Sequence, residues 1–96
     1  MIWAIATFKV IDGKQDEFEA IMKPLVEKVR ANEPGTPVYA LTKSKKDPTE
    51  YVMIEQYSSN DARKAHAETA YFQEALPQFM ALLSTPLQLA SYLPVA

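Results

Sequence analysis

The hydrophobic pattern along this chain changes repeatedly between the period of a β-strand and that of a helix. Residues 2–11 are rich in β-branched and aromatic side chains, and the turn pair Asp12-Gly13 ends this segment, which predicts a strand. Both alternating faces of the strand are mostly apolar, as is typical of a strand covered on both sides. One layer of helices covers only one face, so the pattern favours a second subunit on the other.

A helix is predicted over Lys14–Asn32, because apolar side chains recur there at alternating steps of three and one. These side chains are Phe18, Ile21, Met22, Leu25, Val26 and Val29. Pro24 lies within the segment and is expected to kink the helix, since it lacks an N–H and crowds the preceding turn. The proline- and glycine-rich segment 33–37 ends the helix.

Two strands are predicted next, over Val38–Lys43 and Glu50–Tyr57, with a polar, turn-rich link that joins them as a hairpin. The polar residues 58–61 offer caps for a short helix over residues 62–67.

The last third of the chain predicts one more helix and one more strand. Thr69 is expected to cap a helix whose apolar stripe is Phe72, Leu76, Phe79 and Leu83. Pro77 lies inside this helix, as Pro24 does in the first. A final strand is predicted within residues 86–94, with Leu87, Leu89, Ser91 and Leu93 on one face and Gln88, Ala90 and Tyr92 on the other.

The predicted order is the βαββαβ unit of an α+β, ferredoxin-like fold, with one four-stranded antiparallel sheet and helices on one face. The length of 96 residues fits a single domain over residues 1–96. The second sheet face is apolar, and twofold pairing with another copy is the common way to cover such a face. A homodimer through the sheet face is therefore predicted.

Charge and composition argue against several classes of partner and binding site. The net charge is −2 without a basic stripe, so no nucleic-acid partner is expected. No apolar run approaches the roughly 20 residues that span a bilayer, and the apolar N-terminal segment is interpreted as a strand, not a signal peptide. The chain has no cysteine, which makes the reducing cytoplasm the default location. No metal-ligand spacing and no glycine-rich phosphate loop occurs.

An ordered set of residues resembles the antibiotic biosynthesis monooxygenase family of dimeric α/β barrels. The set is Gly13 with Phe18, Glu33-Pro34-Gly35-Thr36, Tyr39, Glu55-Gln56-Tyr57, Ala62, His66 and Thr69-Ala70-Tyr71-Phe72. The resemblance implies a homodimer whose two sheets pack face to face, with a pocket in each subunit between sheet and helices. Several relatives oxygenate quinols or polycyclic phenols without flavin, haem or metal, whereas others degrade haem, isomerise small signalling molecules or have no known activity.

The haem-degrading branch of the family is not favoured for this chain. Leu76 stands where those relatives carry the histidine that binds iron, and the chain has no second histidine to replace it. We therefore expect no cofactor and no metal.

His66, the only histidine, is the candidate catalytic residue. A neutral imidazole is suited to remove the proton of a phenol before the phenolate gives an electron to oxygen. The alternative is a helix histidine that only packs or caps. Tyr71 is a candidate to orient a substrate oxygen or else a surface residue, and Phe72 is a candidate pocket wall or else core.

The strand Glu50–Tyr57 supplies three further candidates for substrate binding: Met53, Glu55 and Tyr57. A buried carboxylate such as Glu55 is costly unless paired, and a raised pKa would make it an acid–base group. A structural ion pair is the alternative for Glu55, and core packing is the alternative for the other two. The small Ala4 and Ala6 on the first strand leave volume for a pocket against the sheet, or simply admit closely packed helices.

These observations predict a cofactor-independent monooxygenase that acts on a quinol or polycyclic phenol, a small aromatic molecule. Two alternatives remain at this point: a non-catalytic ligand-binding or stress-related dimer, and an isomerase of a small oxygenated metabolite.

Overall fold

The computed structural model describes residues 1–96. Its elements are β1 (Ile2–Lys9), α1 (Gln15–Asn32), β2 (Val38–Lys43), β3 (Glu50–Tyr57), α2 (Asn60–Glu68), α3 (Ala70–Met80) and β4 (Gln88–Tyr92). The strands form one antiparallel sheet in the order β2-β3-β1-β4. The predicted α+β class and βαββαβ order are confirmed.

The sheet register separates a helix side from an outer side. In β1 every second residue, beginning at Ile2, is buried, and the residues between are half-buried. Ala6 lies opposite Met53 of β3 and opposite Leu89 of β4, so all three side chains point to the helix side. Trp3 lies opposite Tyr92 on the outer side. The two faces predicted for the last strand are therefore confirmed over Gln88–Tyr92.

Helices α2 and α3 begin at caps that the sequence offered, although α2 begins at Asn60, two residues before its predicted start. The Ser59 side chain accepts a hydrogen bond from the Ala62 N–H at the start of α2, and Thr69 does the same for the Phe72 N–H at the start of α3. Helix α1 runs continuously through Pro24 and buries its apolar stripe against the sheet. No helix is both long and apolar enough to cross a membrane.

The sequence pattern predicted that Leu83 continues the apolar stripe of α3, and this prediction is wrong. Helix α3 ends at Met80, and Leu83 instead forms a β-bridge with Val10. The backbone just after β1 pairs with the segment that contains Leu83, since the Ile11 N–H donates to the Leu82 carbonyl at 2.9 Å. A long-range backbone pairing thus replaces another helical turn. Strand β1 ends at Lys9, two residues before the predicted end at Ile11.

An aromatic cluster fills one end of the space between sheet and helices. Phe8 contacts Phe18 and Phe79 at ring-centroid distances of 5.3 and 5.7 Å, and Phe18 contacts Tyr51 at 4.8 Å. Towards the other end, β1 presents the small side chains of Ala4 and Ala6 to the helices. The small side chains of Ala4 and Ala6 therefore leave space next to the aromatic cluster.

The loop after α1 packs tightly on the start of α2. The Ser58 N–H donates to the Gly35 carbonyl at 2.9 Å. A Cβ atom added at Gly35 would lie 2.8 Å from the Cβ of Ala62 and 3.3 Å from Ser58 Oγ. Glycine at this position lets the loop approach α2.

Gly35→Ala is expected to lower the free energy of unfolding by about 1–3 kcal/mol, because the added methyl group overpacks the contact with Ala62. Urea denaturation measures this change. The control compares the double variant Gly35→Ala/Ala62→Gly with Ala62→Gly alone. In this background the Cβ of residue 62, which the added methyl group meets first, is absent. If Gly35→Ala lowers the free energy of unfolding as much in the Ala62→Gly background as in the wild type, its effect does not come from the contact with Ala62.

Candidate active site

A cavity of about 130 Å³ lies between the helix side of the sheet and helices α1, α2 and α3. Ten of its thirteen lining residues are hydrophobic, so polar chemistry is restricted to a few side chains. The lining residues are Ala6, Phe8, Met22, Tyr39, Glu55, Tyr57, Arg63, His66, Ala67, Phe72, Phe79, Leu87 and Leu89.

His66 lines this cavity and is only 5% exposed. Its ring lies among three aromatic rings, with centroid distances of 4.7 Å to Phe72, 5.1 Å to Tyr39 and 5.7 Å to Tyr57. These contacts fix the plane of the imidazole and surround it with apolar surface.

Glu33, the residue that follows α1, holds one nitrogen of this imidazole. Its carboxylate oxygens lie 2.9 and 3.2 Å from His66 Nδ1. The Thr36 hydroxyl donates to the same carboxylate at 3.1 Å, and the Tyr71 hydroxyl donates to it as well. A carboxylate acceptor at Nδ1 places the proton there, which leaves Nε2 with the lone pair in the neutral ring.

The second nitrogen, Nε2, is available to a ligand. It has no hydrogen-bond partner within the chain, and no fully buried side-chain nitrogen or oxygen lacks a partner. Nε2 therefore retains accessible surface, and the cavity that His66 lines is where a ligand meets it.

The protonation state of His66 follows from two opposing effects. Burial lowers the pKa of His66, and the charge and hydrogen bond of Glu33 partly offset this effect. The pKa lies below the ordinary value of 6.5, so the imidazole is neutral near pH 7. A neutral, oriented imidazole in an apolar cavity can act as a general base.

Glu55 is a second carboxyl group in the same cavity and is 8% exposed. It accepts a hydrogen bond from the Tyr57 hydroxyl and forms no ion pair. Burial raises the pKa of Glu55, although the Tyr57 hydrogen bond and the Arg63 charge act against this. Burial also raises the pKa of Tyr57, which keeps its hydroxyl protonated.

Arg63 of α2 is the only cationic side chain that lines the cavity. Its Nη1 donates to Ser91 Oγ of β4 at 2.6 Å, and its guanidinium carbon lies 6.0 Å from the centre of the Tyr57 ring. Leu89, on the same strand, is 57% exposed although it faces the helix side. The exposed end of the cavity therefore lies along β4.

The structure brings four of the predicted site residues together in the cavity: His66, Phe72, Glu55 and Tyr57. Tyr71 is not in the lining, since its hydroxyl is directed to Glu33 outside the cavity. Burial and this hydrogen bond raise the pKa of Tyr71 to about 12. Met53 is fully buried in the core opposite Ala6 and is not part of the lining either.

Three comparisons with known proteins agree. The sequence profile described as antibiotic biosynthesis monooxygenase matches residues 1–78. The chain belongs to the antibiotic biosynthesis monooxygenase family. It is 37% identical over 87 residues to YcnE of Bacillus subtilis (strain 168), a protein provisionally named a monooxygenase, with 91% of this chain and 90% of YcnE covered.

Two solved structures of similar proteins superpose closely. One is from Caulobacter crescentus CB15, provisionally assigned as an antibiotic biosynthesis monooxygenase; it is 38% identical, with a TM-score of 0.94 over 99% of this chain and 90% of that one. The other, an antibiotic biosynthesis monooxygenase, is 27% identical, with a TM-score of 0.94 over the whole of both chains. These matches confirm the resemblance that the ordered residues had indicated.

Sequence reasoning missed the role of Glu33 in this member of the antibiotic biosynthesis monooxygenase family. Glu33 had been used only as part of the segment that ends the first helix and as part of the family pattern. A polar residue beside Pro34-Gly35 gives no sign of where its side chain points. Arg63 and Tyr39 were also missed, because their place in the cavity depends on how α2 and β2 pack. No three side chains of the metal-binding types converge on one point.

Glu33→Gln is expected to lower the pKa of His66 below its wild-type value. The change removes a negative charge and a strong acceptor that both favour the imidazolium. Titration of the imidazole by NMR measures the shift.

The matched control is Glu27→Gln, which removes an exposed carboxylate from α1, the helix that Glu33 follows, and should leave the midpoint unchanged. A His66 midpoint that stays at its wild-type value in Glu33→Gln would show that the two side chains do not interact in solution.

Proposed function

We propose that this protein is a cofactor-independent monooxygenase that acts on a quinol or a phenol, with residues 1–96 as one domain. The observation that carries the proposal is His66. Its Nδ1 is held by a carboxylate, and its Nε2 is free at a cavity walled by aromatic side chains. Membership of the family supports an oxygenase, and the cavity supports an aromatic substrate.

His66 is the proposed base. Its Nε2 removes the proton of a phenolic hydroxyl, and Glu33 stabilises the imidazolium that results. The phenolate then gives an electron to dioxygen, and a carbon–oxygen bond forms. The overall reaction consumes one phenol and one dioxygen and yields one quinone and one water.

The cavity volume limits what is bound inside. About 130 Å³ is close to the roughly 150 Å³ of an apolar cavity that holds benzene, so one aromatic ring fills it. Phe72 and Tyr57 would face that ring, and Glu55 would contact a substrate oxygen. Tyr71 would act through Glu33, and Met53 would support the wall from its position beside Ala6. Further rings of a polycyclic substrate would extend past Leu89.

We also propose that the protein is a homodimer through the outer side of the sheet. No helix covers that side, and its half-buried or exposed apolar residues form one continuous surface. They are Trp3, Ile5, Val38, Ala40, Val52, Ile54, Ala90 and Tyr92. A surface of this kind typically marks an interface between subunits.

A second candidate function is an isomerase of a small oxygenated metabolite. The observation in its favour is that a base, His66, and a carboxyl group with a raised pKa, Glu55, line the same cavity. Such a pair can move a proton from one atom of a substrate to another. An isomerase consumes no oxygen, so an oxygen electrode separates the two functions.

His66→Ala is expected to lower oxygen uptake on a quinol by roughly 10²–10⁴-fold, because the general base is lost. Uptake is measured with metal-stripped protein against a panel of quinols and phenols. Wild-type activity should also fall on acidification, once His66 becomes protonated below pH 6.5.

Lys64→Ala, on an exposed part of the same helix, is the matched control and should keep full activity. Unchanged uptake in His66→Ala on a confirmed substrate would exclude His66 as the base.

Ile54→Glu is expected to convert the dimer into a monomer, because a charge in the middle of an apolar interface loses its hydration. Sedimentation at micromolar concentration measures the change. Lys64→Glu alters the charge on the helix side and should leave the dimer intact. A wild-type protein that sediments as a monomer would contradict the proposed interface.

A further inference from the structure

Glu55 occupies a position that places its side chain at the cavity. It lies in the middle of β3, with Ala4 of β1 on one side and Tyr39 of β2 on the other. All three side chains point to the helix side of the sheet. Because Ala4 is small, the carboxyl group has room to reach the cavity that it lines.

Only one of the two oxygen atoms of this carboxyl group has a hydrogen-bond partner within the chain. The Tyr57 hydroxyl donates to Oε1, and Oε2 has no partner within the chain. No lysine, arginine or histidine nitrogen lies within 4.0 Å of either oxygen, so Glu55 has no counter-ion in contact. Since no fully buried side-chain oxygen lacks a partner, Oε2 retains surface at the cavity.

The groups around Glu55 only partly offset its burial. Burial raises the pKa of Glu55 and the charge of Glu33 adds to this effect, whereas the Tyr57 hydrogen bond and the charge of Arg63 lower the pKa. His66 is neutral near pH 7, and Tyr57 and Tyr39 keep their protons because burial raises the pKa of each. A buried carboxylate with one hydrogen bond and no counter-ion in contact is costly, and the neutral acid is less so.

We infer that Glu55 is a neutral carboxylic acid in the resting protein and that its Oε2–H donates to an oxygen atom of the bound ligand. The cavity then presents one acceptor, His66 Nε2, and one acid, Glu55. A matching ligand carries one acidic hydroxyl and one second oxygen that accepts a hydrogen bond. This pattern describes a dihydric phenol or a hydroxylated quinone, and it disfavours a phenol with a single oxygen.

The catalytic part of this inference rests on the proposed oxygenase. After oxygen has added to the ring, Glu55 protonates the distal oxygen of the peroxide anion. The Glu55 carboxylate then removes the ring proton, the C–H electron pair forms the new carbonyl bond, and the O–O pair leaves with hydroxide. Protonated His66 converts the hydroxide to water, so both residues return to their starting forms.

Infrared difference spectroscopy tests the resting state without any substrate. At neutral pH the wild type is expected to show the carbonyl band of a protonated carboxylic acid, and Glu55→Gln is expected to lack it. Glu19→Gln is the matched control, since Glu19 also accepts from a tyrosine hydroxyl but is paired with two lysines. Absence of the band in the wild type, or its persistence in Glu55→Gln, would overturn the inference.

Turnover tests the role as acid. Glutamine keeps the shape and the donor of Glu55 but supplies no proton, so Glu55→Gln is expected to slow turnover by roughly 10²-fold and to release hydrogen peroxide in place of water. Glu19→Gln should release water and not hydrogen peroxide, as the wild type does. If Glu55→Gln also releases water and no hydrogen peroxide, Glu55 is not the acid.

The two proposals fail in different ways. A wild type that consumes no oxygen on any quinol would remove the oxygenase, while the infrared band would still decide whether Glu55 is a neutral acid.

Discussion

The carboxylate of Glu33 is the interaction on which the site depends. It collects hydrogen bonds from Thr36, His66 and Tyr71, and so joins the end of α1, the loop before β2, α2 and α3 at one point. Hydrogen bonds to a charged acceptor are stronger than those between neutral groups. The same contacts that hold these elements together also select the proton position on His66, so fold stability and chemistry rest on one group.

The cavity exists because packing is uneven along β1. Phe8 anchors an aromatic cluster with Phe18 and Phe79, which gives a short chain a dense core at one end. Two positions earlier on the same face, Ala6 contributes a single methyl group, and space remains. A small core thus supports a binding site only because large and small residues are segregated along one strand.

Much of the fold was predictable from local signals, whereas the site was only partly so. The apolar stripe of α1 and the caps Ser59 and Thr69 act within a few residues, so sequence alone defined those elements. Leu83 was assigned wrongly because its partner, Val10, is far away in the chain. The role of Glu33 was hidden for the same reason, since the direction of its side chain depends on a loop that packs against α2.

Two glutamates in one small site illustrate how environment assigns chemistry to identical side chains. Glu33 meets three donors and serves as the anion that orients His66. Glu55 meets one donor, has no counter-ion in contact and is desolvated by its neighbours, which raises its pKa. Burial also lowers the pKa of His66. Burial therefore acts in opposite directions on the charges of the two groups: it favours the uncharged carboxyl form of Glu55 and the uncharged imidazole of His66.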